Sequence, residues 1–416
     1  MSTGAVPGAA VAPAVPRLLF AVISAIYFMI SAATFSSLGI VLPYMISELS
    51  WSWSQAGIGF SLLALMVGLA SALPAWTIRR FGTAATYGLG GAVMVVGFAL
   101  LALTTGIYGY LLAAALLGLG FAPCAVVPAV HLLNGWMPER RSAFIGAYMT
   151  IGGLGAVAGP LAANGFMLAT HSWRLYWWAM AAVMLALTLL ALAFVKSPPG
   201  DVTGAQRHAS RAGAGAGAER DTRNWRFRDA VRTPQYWVIS LSMTATLLCV
   251  LTTNSCAPAH LSALGISVSV AAGVLSTNGA VSALSRYLGG ALATRIDPKW
   301  LLVAGLIGEG ISMAALSVAG NRFALGVFAV AEGFGFGMCL LATALLLVNY
   351  FGSAENPEIY GTFNLITTLA MVGPYAAGLV KDLFGGFGAL FQGYAVGMLL
   401  IVAVAAAMRP PRPATH

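Results

Sequence analysis

Twelve apolar runs restrict this chain more than any other feature, at 18–46, 54–78, 84–105, 107–135, 142–169, 174–196, 234–260, 267–294, 300–319, 323–350, 357–380 and 387–408. Each offers the ~20 mostly apolar residues that a helix needs to cross a bilayer. Hydrocarbon holds no water to satisfy backbone N–H and C=O groups, so such a run has to be helical. A soluble domain carries about 25% charged residues. Here 59% of the 416 residues are hydrophobic and 8% charged, which excludes a single soluble core. The one long polar stretch, SPPGDVTGAQRHASRAGAGAGAERDTRNWRFRDAVRT at 197–233, divides the runs six and six. The expected fold is an all-α membrane protein of twelve transmembrane helices in two six-helix bundles, 18–196 and 234–408, joined by a linker. Residues 1–17 are rich in Ala, Pro and Gly and read as a retained, disordered tail, with a second short tail at 409–416.

The net charge of +9 invites a nucleic-acid reading, but the placement of the charges argues against it. With the N-terminus in the cytoplasm, every Lys and Arg except Arg174, Arg286, Arg322 and Lys381 falls on the inner side or in the linker. That is the positive-inside pattern of a protein in the inner (plasma) membrane, with both termini cytoplasmic. The basic linker could also touch anionic headgroups, or simply be solvated. Four cysteines stand singly in apolar runs with no metal-ligand spacing, so neither a metal nor a disulfide is expected. No GxxxxGK[ST] stretch and no nucleophile triad occurs, so no cofactor, ATP-driven step or enzyme activity is expected.

The two halves repeat at a shift of 215 residues. GLGFAPC…LLNGW from Gly118 falls on GFGFGMC…LVNYF from Gly333, matching Gly, Phe, Cys and Asn positions. At the same shift Arg80 falls on Arg295 and Ser71 on Arg286, and with one gap Gly159-Pro160 falls on Gly373-Pro374. Parallel six-helix repeats are an architecture of alternating-access transporters, with the site at the repeat interface near the midplane.

Over essentially the whole chain these motifs resemble the major facilitator superfamily, and within it the monocarboxylate and oxalate/formate branch. WSWSQAGIGFSL resembles the start of that family's second helix. AWTIRRFG resembles the loop signature after it, with Arg80 and Gly82 in place, Ala75 where glycine is usual and Arg79 where aspartate is usual. NGWMPERR resembles the loop after helix 4. SRYLGGALATR resembles the branch's helix-8 signature, carried by Arg286, Gly290 and Arg295. GPYAAGLVKDLFGGFGALFQGY resembles its ending, with Gly373, Pro374, Gly378, Asp382 and Gly386. GAYMTIGGLGAVAGP fits an antiporter-associated pattern through Gly146, Gly155, Gly159 and Pro160, although small residues at this spacing also serve helix packing. The resemblance implies a monomer, loop or gating roles for Arg79, Arg80 and Arg295, and packing roles for Gly373 and Pro374. It also implies that one cation suits one carboxylate. The branch's dicarboxylate exchange uses a further lysine in helix 11, and here that run has none before Lys381.

Arg286 lies nine residues before Arg295, so it is ~13 Å deep. Placing arginine there costs at least ~2.5–3.5 kcal/mol, so it needs a cavity or a partner. Its planar fork suits a carboxylate. Ser282 and Asn278 share roughly its face and are expected to extend it as a polar stripe. The alternative is an internal salt bridge to Glu332 or Glu309. Both acids sit near mid-depth and are candidates for proton coupling. In the family fold helix 10 lines the cavity and helix 9 is peripheral, which favours Glu332 for coupling and Glu309 for packing. His131 could relay protons or make a loop contact. His260 is placed at the outer end of its helix, where solvation accounts for it. Tyr27, Ser31, Tyr148, Asn254, Phe336 and Asn364 are expected along the cavity. The expected function is secondary transport of a small organic anion, a monocarboxylate, by alternating access, coupled to protons or a counter-anion. Efflux of drugs or metabolites by proton antiport and carboxylate exchange are the alternatives. A membrane sensor or intramembrane enzyme is disfavoured, since no extra domain or catalytic pair is present.

Overall fold

The computed structural model describes residues 14–137, 140–196, 225, 227–352 and 356–411. Most of the expected tail 1–17, most of the linker 197–233 and the end of 409–416 lie outside the described residues. Among the described residues, twelve helices are long and apolar enough to span a bilayer: α1 Arg17–Leu49, α2 Trp53–Phe81, α3 Thr83–Leu103, α4 Ile107–Trp136, α5 Ala143–Thr170, α6 Trp173–Phe194, α7 Pro234–Ala263, α8 Val268–Leu292, α9 Pro298–Ser317, α10 Arg322–Phe351, α11 Ile359–Phe384 and α12 Gly388–Ala407. Phe227–Val231 forms a short helix, and its Ala230 is fully buried in the second core.

Polar caps set where the spans begin. Ser52 accepts from the Gln55 amide while the Gln55 side chain accepts from Ser52 N–H, closing a capping box at α2. Thr233, Ser267, Asp297 and Asn321 cap α7, α8, α9 and α10 through single side-chain acceptors. Pro43, Pro123, Pro160 and Pro258 lie inside helices, where neighbouring helices and local adjustment can satisfy the freed carbonyls. Immediately after Pro123 the helix breaks at Ala125, and the carbonyl freed there accepts from the Tyr148 hydroxyl at 3.0 Å.

Each half builds a core of its own, the first around Phe60, Phe98, Tyr110 and Trp177 and the second around Phe328, Phe351, Phe387 and Phe391. The 215-residue repeat is visible in atomic contacts. Cys124 Sγ lies 3.9 Å from the Tyr87 carbonyl, and Cys339 Sγ lies 3.9 Å from the Leu302 carbonyl, its counterpart. A Cβ on Gly118 would come within 2.2 Å of the Leu63 carbonyl, and one on Gly333 within 2.4 Å of the Asn278 carbonyl. Small residues there let backbones touch.

Twelve spans place the start of α1 and the end of α12 on one face, called here the terminal face. Among the described residues, the hydrogen bonds between the halves lie toward the other, distal face. Asp382 near the end of α11 accepts from the amides of Trp53 (3.1 Å) and Ser54 (2.9 Å) at the start of α2. Asn164 of α5 donates to Ser269 of α8 at 3.1 Å, and the Tyr375 amide donates to Ser61 at 3.2 Å. Bare backbones meet along the same seam: Gly39 against the Asn254 carbonyl, Gly57 against Pro374 and Gly378 against Trp53. The halves are therefore clasped distally.

Candidate functional site

The rotation of α8 is fixed by glycines on α10. Gly333 admits the backbone at Asn278, and Gly337 admits the backbone at Ser282, where a Cβ would sit 2.5 Å from the carbonyl. This corrects the expected polar stripe. Ser282 is buried against α10 and its hydroxyl has no hydrogen-bond partner among the described residues. Asn278 turns its amide to Glu332 at 3.0 Å. Neither continues the line of Arg286 toward the first half, because the tight α8–α10 contact takes up their face.

Arg286 goes the other way. Its Nε donates to the Ser282 carbonyl one turn back at 3.2 Å, which steers the side chain along the helix. Its Nη2 lies 3.7 Å from the position a Cβ would take on Gly153 of α5, and the Tyr27 phenol of α1 is within electrostatic reach. No carboxylate among the described residues forms an ion pair with it. The resting salt bridge to Glu332 or Glu309 is absent from this arrangement. A half-buried guanidinium of the second half thus faces two helices of the first.

The floor opposite Arg286 is aromatic. The Tyr27 ring stacks on Tyr148, with centroids 4.7 Å apart and planes 10° from parallel. Gly152 makes room for it, since a Cβ there would fall 2.0 Å from the Tyr27 ring. Tyr148 was expected to line a cavity, but it is fully buried and its hydroxyl is committed to Ala125, so it supports Tyr27 from behind. Ser31 lies one turn beyond Tyr27 and is partly buried. Gly152, Gly153 and Thr253 were not singled out from sequence. The glycine doublet within GAYMTIGGLGAVAGP was the available signal for the first two.

Glu332 is 3% exposed in α10 and accepts from Asn278 on one oxygen and Thr253 on the other. Glu309 of α9 is fully buried, and neither carboxyl oxygen has a hydrogen-bond partner among the described residues. Glu309 packs over Gly335, one turn from Glu332, and the two acids are within electrostatic reach of each other.

The remaining predicted residues scatter. Asn254 presents its backbone carbonyl to Gly39, Phe336 packs partly buried on the second core, and Asn364 is exposed. His131 is partly buried on α4. Arg79 and Arg80 are exposed in the last turn of α2, where cations suit the negative helix end. Arg295 is exposed and lines a terminal-face cavity of about 710 Å³ with Trp225, Asn349 and Tyr350. Gly155 and Gly159 pack on the Phe28 and Ala32 carbonyls, Pro160 lies inside α5, and Gly373 packs on Thr252. Open space surrounds Gly146, so helix contact does not require a glycine there, contrary to expectation. His260 also departs from expectation. It is 7% exposed, its Nε2 lies 3.0 Å from the Leu316 carbonyl, and Phe387 and Phe391 pack edge-on to its ring.

The family profile of the Major Facilitator Superfamily matches residues 24–261 and 248–416. No curated protein sequence matches significantly. Among solved structures, a bacterial homolog of the human lysosomal transporter Spinster, inward-facing and unoccupied, is similar with a TM-score of 0.75 at 17% identity, covering 95% of this chain and 96% of that one. A point mutant of the nucleoside transporter NupG gives 0.75 at 14% identity over 93% and 99%. A D-xylose–proton symporter gives 0.71 at 15% identity over 95% and 97%. At these identities the likeness concerns the fold.

Proposed function

The chain belongs to the Major Facilitator Superfamily, and from that premise we propose that it carries a small organic monocarboxylate across the inner (plasma) membrane by alternating access, coupled to protons. The observation that carries this reading is Arg286: an intramembrane cation, without an ion-pair partner among the described residues, aimed from one half at the other. A charge so placed is a site for a ligand of opposite sign. Its fork binds a carboxylate through two parallel hydrogen bonds, and Tyr27 stands beside it as a donor and an apolar surface. A single cation in this position favours one carboxylate over two.

The physical consequence is a gate. An uncompensated guanidinium resists burial between closing halves, whereas an anion-paired one is far less costly to enclose. Binding therefore favours the state in which the halves rock past each other around the site. With the termini cytoplasmic, the distal clasp closes the outer side and the path from Arg286 runs inward. Small residues of the antiporter-like pattern, Gly155 and Gly159, are accounted for by contact with α1, so no observation favours the efflux reading.

The test is uptake into proteoliposomes of labelled lactate, succinate and a lipophilic cation, with and without an inward proton gradient. Lactate is expected to be taken up with a proton gradient, and Arg286→Ala and Arg286→Lys are expected to abolish uptake while the protein still inserts. Wild-type lactate flux in Arg286→Ala, or flux of the cation alone, overturns the proposal.

A further inference from the structure

The repeat supplies an internal control for the polar cluster behind Arg286. Leu38, Leu63, Met94 and Leu117 of the first half are buried at 1%, 0%, 0% and 1% exposure. Their counterparts 215 residues on are Thr253, Asn278, Glu309 and Glu332. Two of the four surroundings correspond directly. Gly118 meets Leu63 as Gly333 meets Asn278, and Gly120 packs on Met94 as Gly335 packs on Glu309. The packing plan thus accepts hydrocarbon at the Asn278 and Glu309 places, and the first half is built with hydrocarbon at all four. Burying polar groups costs stability where hydrocarbon would not. A cost with no structural return points to use.

The four residues are connected. Asn278 from α8 donates to one oxygen of Glu332, and the Thr253 hydroxyl from α7 is hydrogen-bonded to the other and also reaches the Val250 carbonyl, while Glu309 receives no hydrogen bond among the described residues. The other titratable groups around them are Cys249 and Cys256 of α7, Cys339 of α10 and, beyond the α7 cysteines, Tyr394 of α12. None of these is a cation at neutral pH. Two close carboxyls without a cation between them cannot both be ionised. Glu332, with an amide donor and a hydroxyl partner, is the place for the charge. Glu309, with none, is the place for the proton.

We propose that Glu309 and Glu332 form one proton-binding unit, in which Glu309 holds a resident proton and Glu332 takes up a second when an anion binds at Arg286. This rests on the transport reading for its purpose. It follows from charge balance. Without ligand, neither Arg286 nor Glu332 has an ion-pair partner among the described residues. An incoming monocarboxylate pairs with Arg286, and one proton from solution bonding to a Glu332 oxygen removes the remaining uncompensated charge. The loaded site then crosses the low-dielectric region uncharged.

The experiment is infrared difference spectroscopy of the ligand-free protein in lipid, titrated across roughly pH 5 to 9 and reading the C=O stretch of protonated carboxyls. One band is expected to persist through neutrality and a second to grow on acidification. Glu309→Gln should delete the first and Glu332→Gln the second. The double variant Glu309→Met/Glu332→Leu installs the first-half side chains; it should fold with an unchanged or higher melting temperature and show neither band. A neutral-pH band that survives in Glu309→Gln overturns the proposal, because the proton then sits elsewhere. A double variant that cannot fold also overturns it, because the acids would then be structural. No ligand is present, so these outcomes are separate from lactate uptake, which tests the transport reading.

Discussion

Replacing Gly39 with alanine tests the idea that the distal seam separates and re-forms. A Cβ at Gly39 would lie 1.8 Å from the Asn254 carbonyl oxygen. Even reaching 3.0 Å requires a separation of 1.2 Å (3.0 less 1.8) between two helix backbones in different halves. Backbone cannot rotate away as a side chain can. Overpacking of this kind costs about 1–3 kcal/mol. That penalty applies only while the seam is closed, so it moves the closed-to-open ratio by about 5–150-fold rather than unfolding the chain. Gly155 provides the control. A Cβ there meets the Phe28 carbonyl at 2.2 Å, but α1 and α5 belong to the same half and stay together. Gly155→Ala should therefore lower the melting temperature without opening the seam. Spin labels on Leu168→Cys and Val270→Cys, at exposed positions near the distal ends of α5 and α8, read the difference, and the four native cysteines are buried. Gly39→Ala should add a longer distance population; Gly155→Ala should not. If Gly39→Ala keeps the wild-type distances and loses thermal stability as Gly155→Ala does, the seam is part of a fixed core and the reasoning fails.

Two further outcomes follow from the same geometry. Asp382→Asn keeps one acceptor for the α2 amides but loses the charge and the second acceptor; with Asp382 solvent-exposed, the closed seam should weaken by no more than about 1 kcal/mol, seen as a smaller shift of the same label distances. Gly152→Ala should push the Tyr27 ring away from Arg286, since the clash is 2.0 Å. The expected result is a raised KM for lactate with a normal melting temperature, and an unchanged KM would remove Tyr27 from the site.

Much of this was legible along the chain. The spans follow from apolar length, because each bilayer crossing must satisfy its own backbone. The cap residues stand in the sequence where the helices begin, and the repeat is written in Gly118, Cys124 and their counterparts. Counting residues also gives an expected depth for Arg286. What counting could not give was direction around each helix. Asn278 and Ser282 sit at the spacing of a shared stripe with Arg286, yet they face α10, because Gly333 and Gly337 draw that side of α8 into backbone contact. His260 departs from its pattern for a similar reason: a position near a helix end suggests water, but Phe387 and Phe391 from α12 and its approach cover it.

The sequence by itself determined the membrane-spanning helices, their number and the two-fold plan, and it gave the ionisable groups an expected level. These depend on local hydropathy and on a fixed rise per residue. Only the tertiary structure decided that Arg286 looks across to Tyr27 and Gly153, that Glu332 is held by Thr253 and Asn278, and that Glu309 is enclosed beside it. Those facts depend on how each helix is rotated, and rotation is set by which small residues let a distant helix come close. The repeat makes this plain. The same backbone contacts surround Leu63 and Asn278, or Met94 and Glu309, so the fold fixes where those side chains point and the substitution alone makes the second half polar.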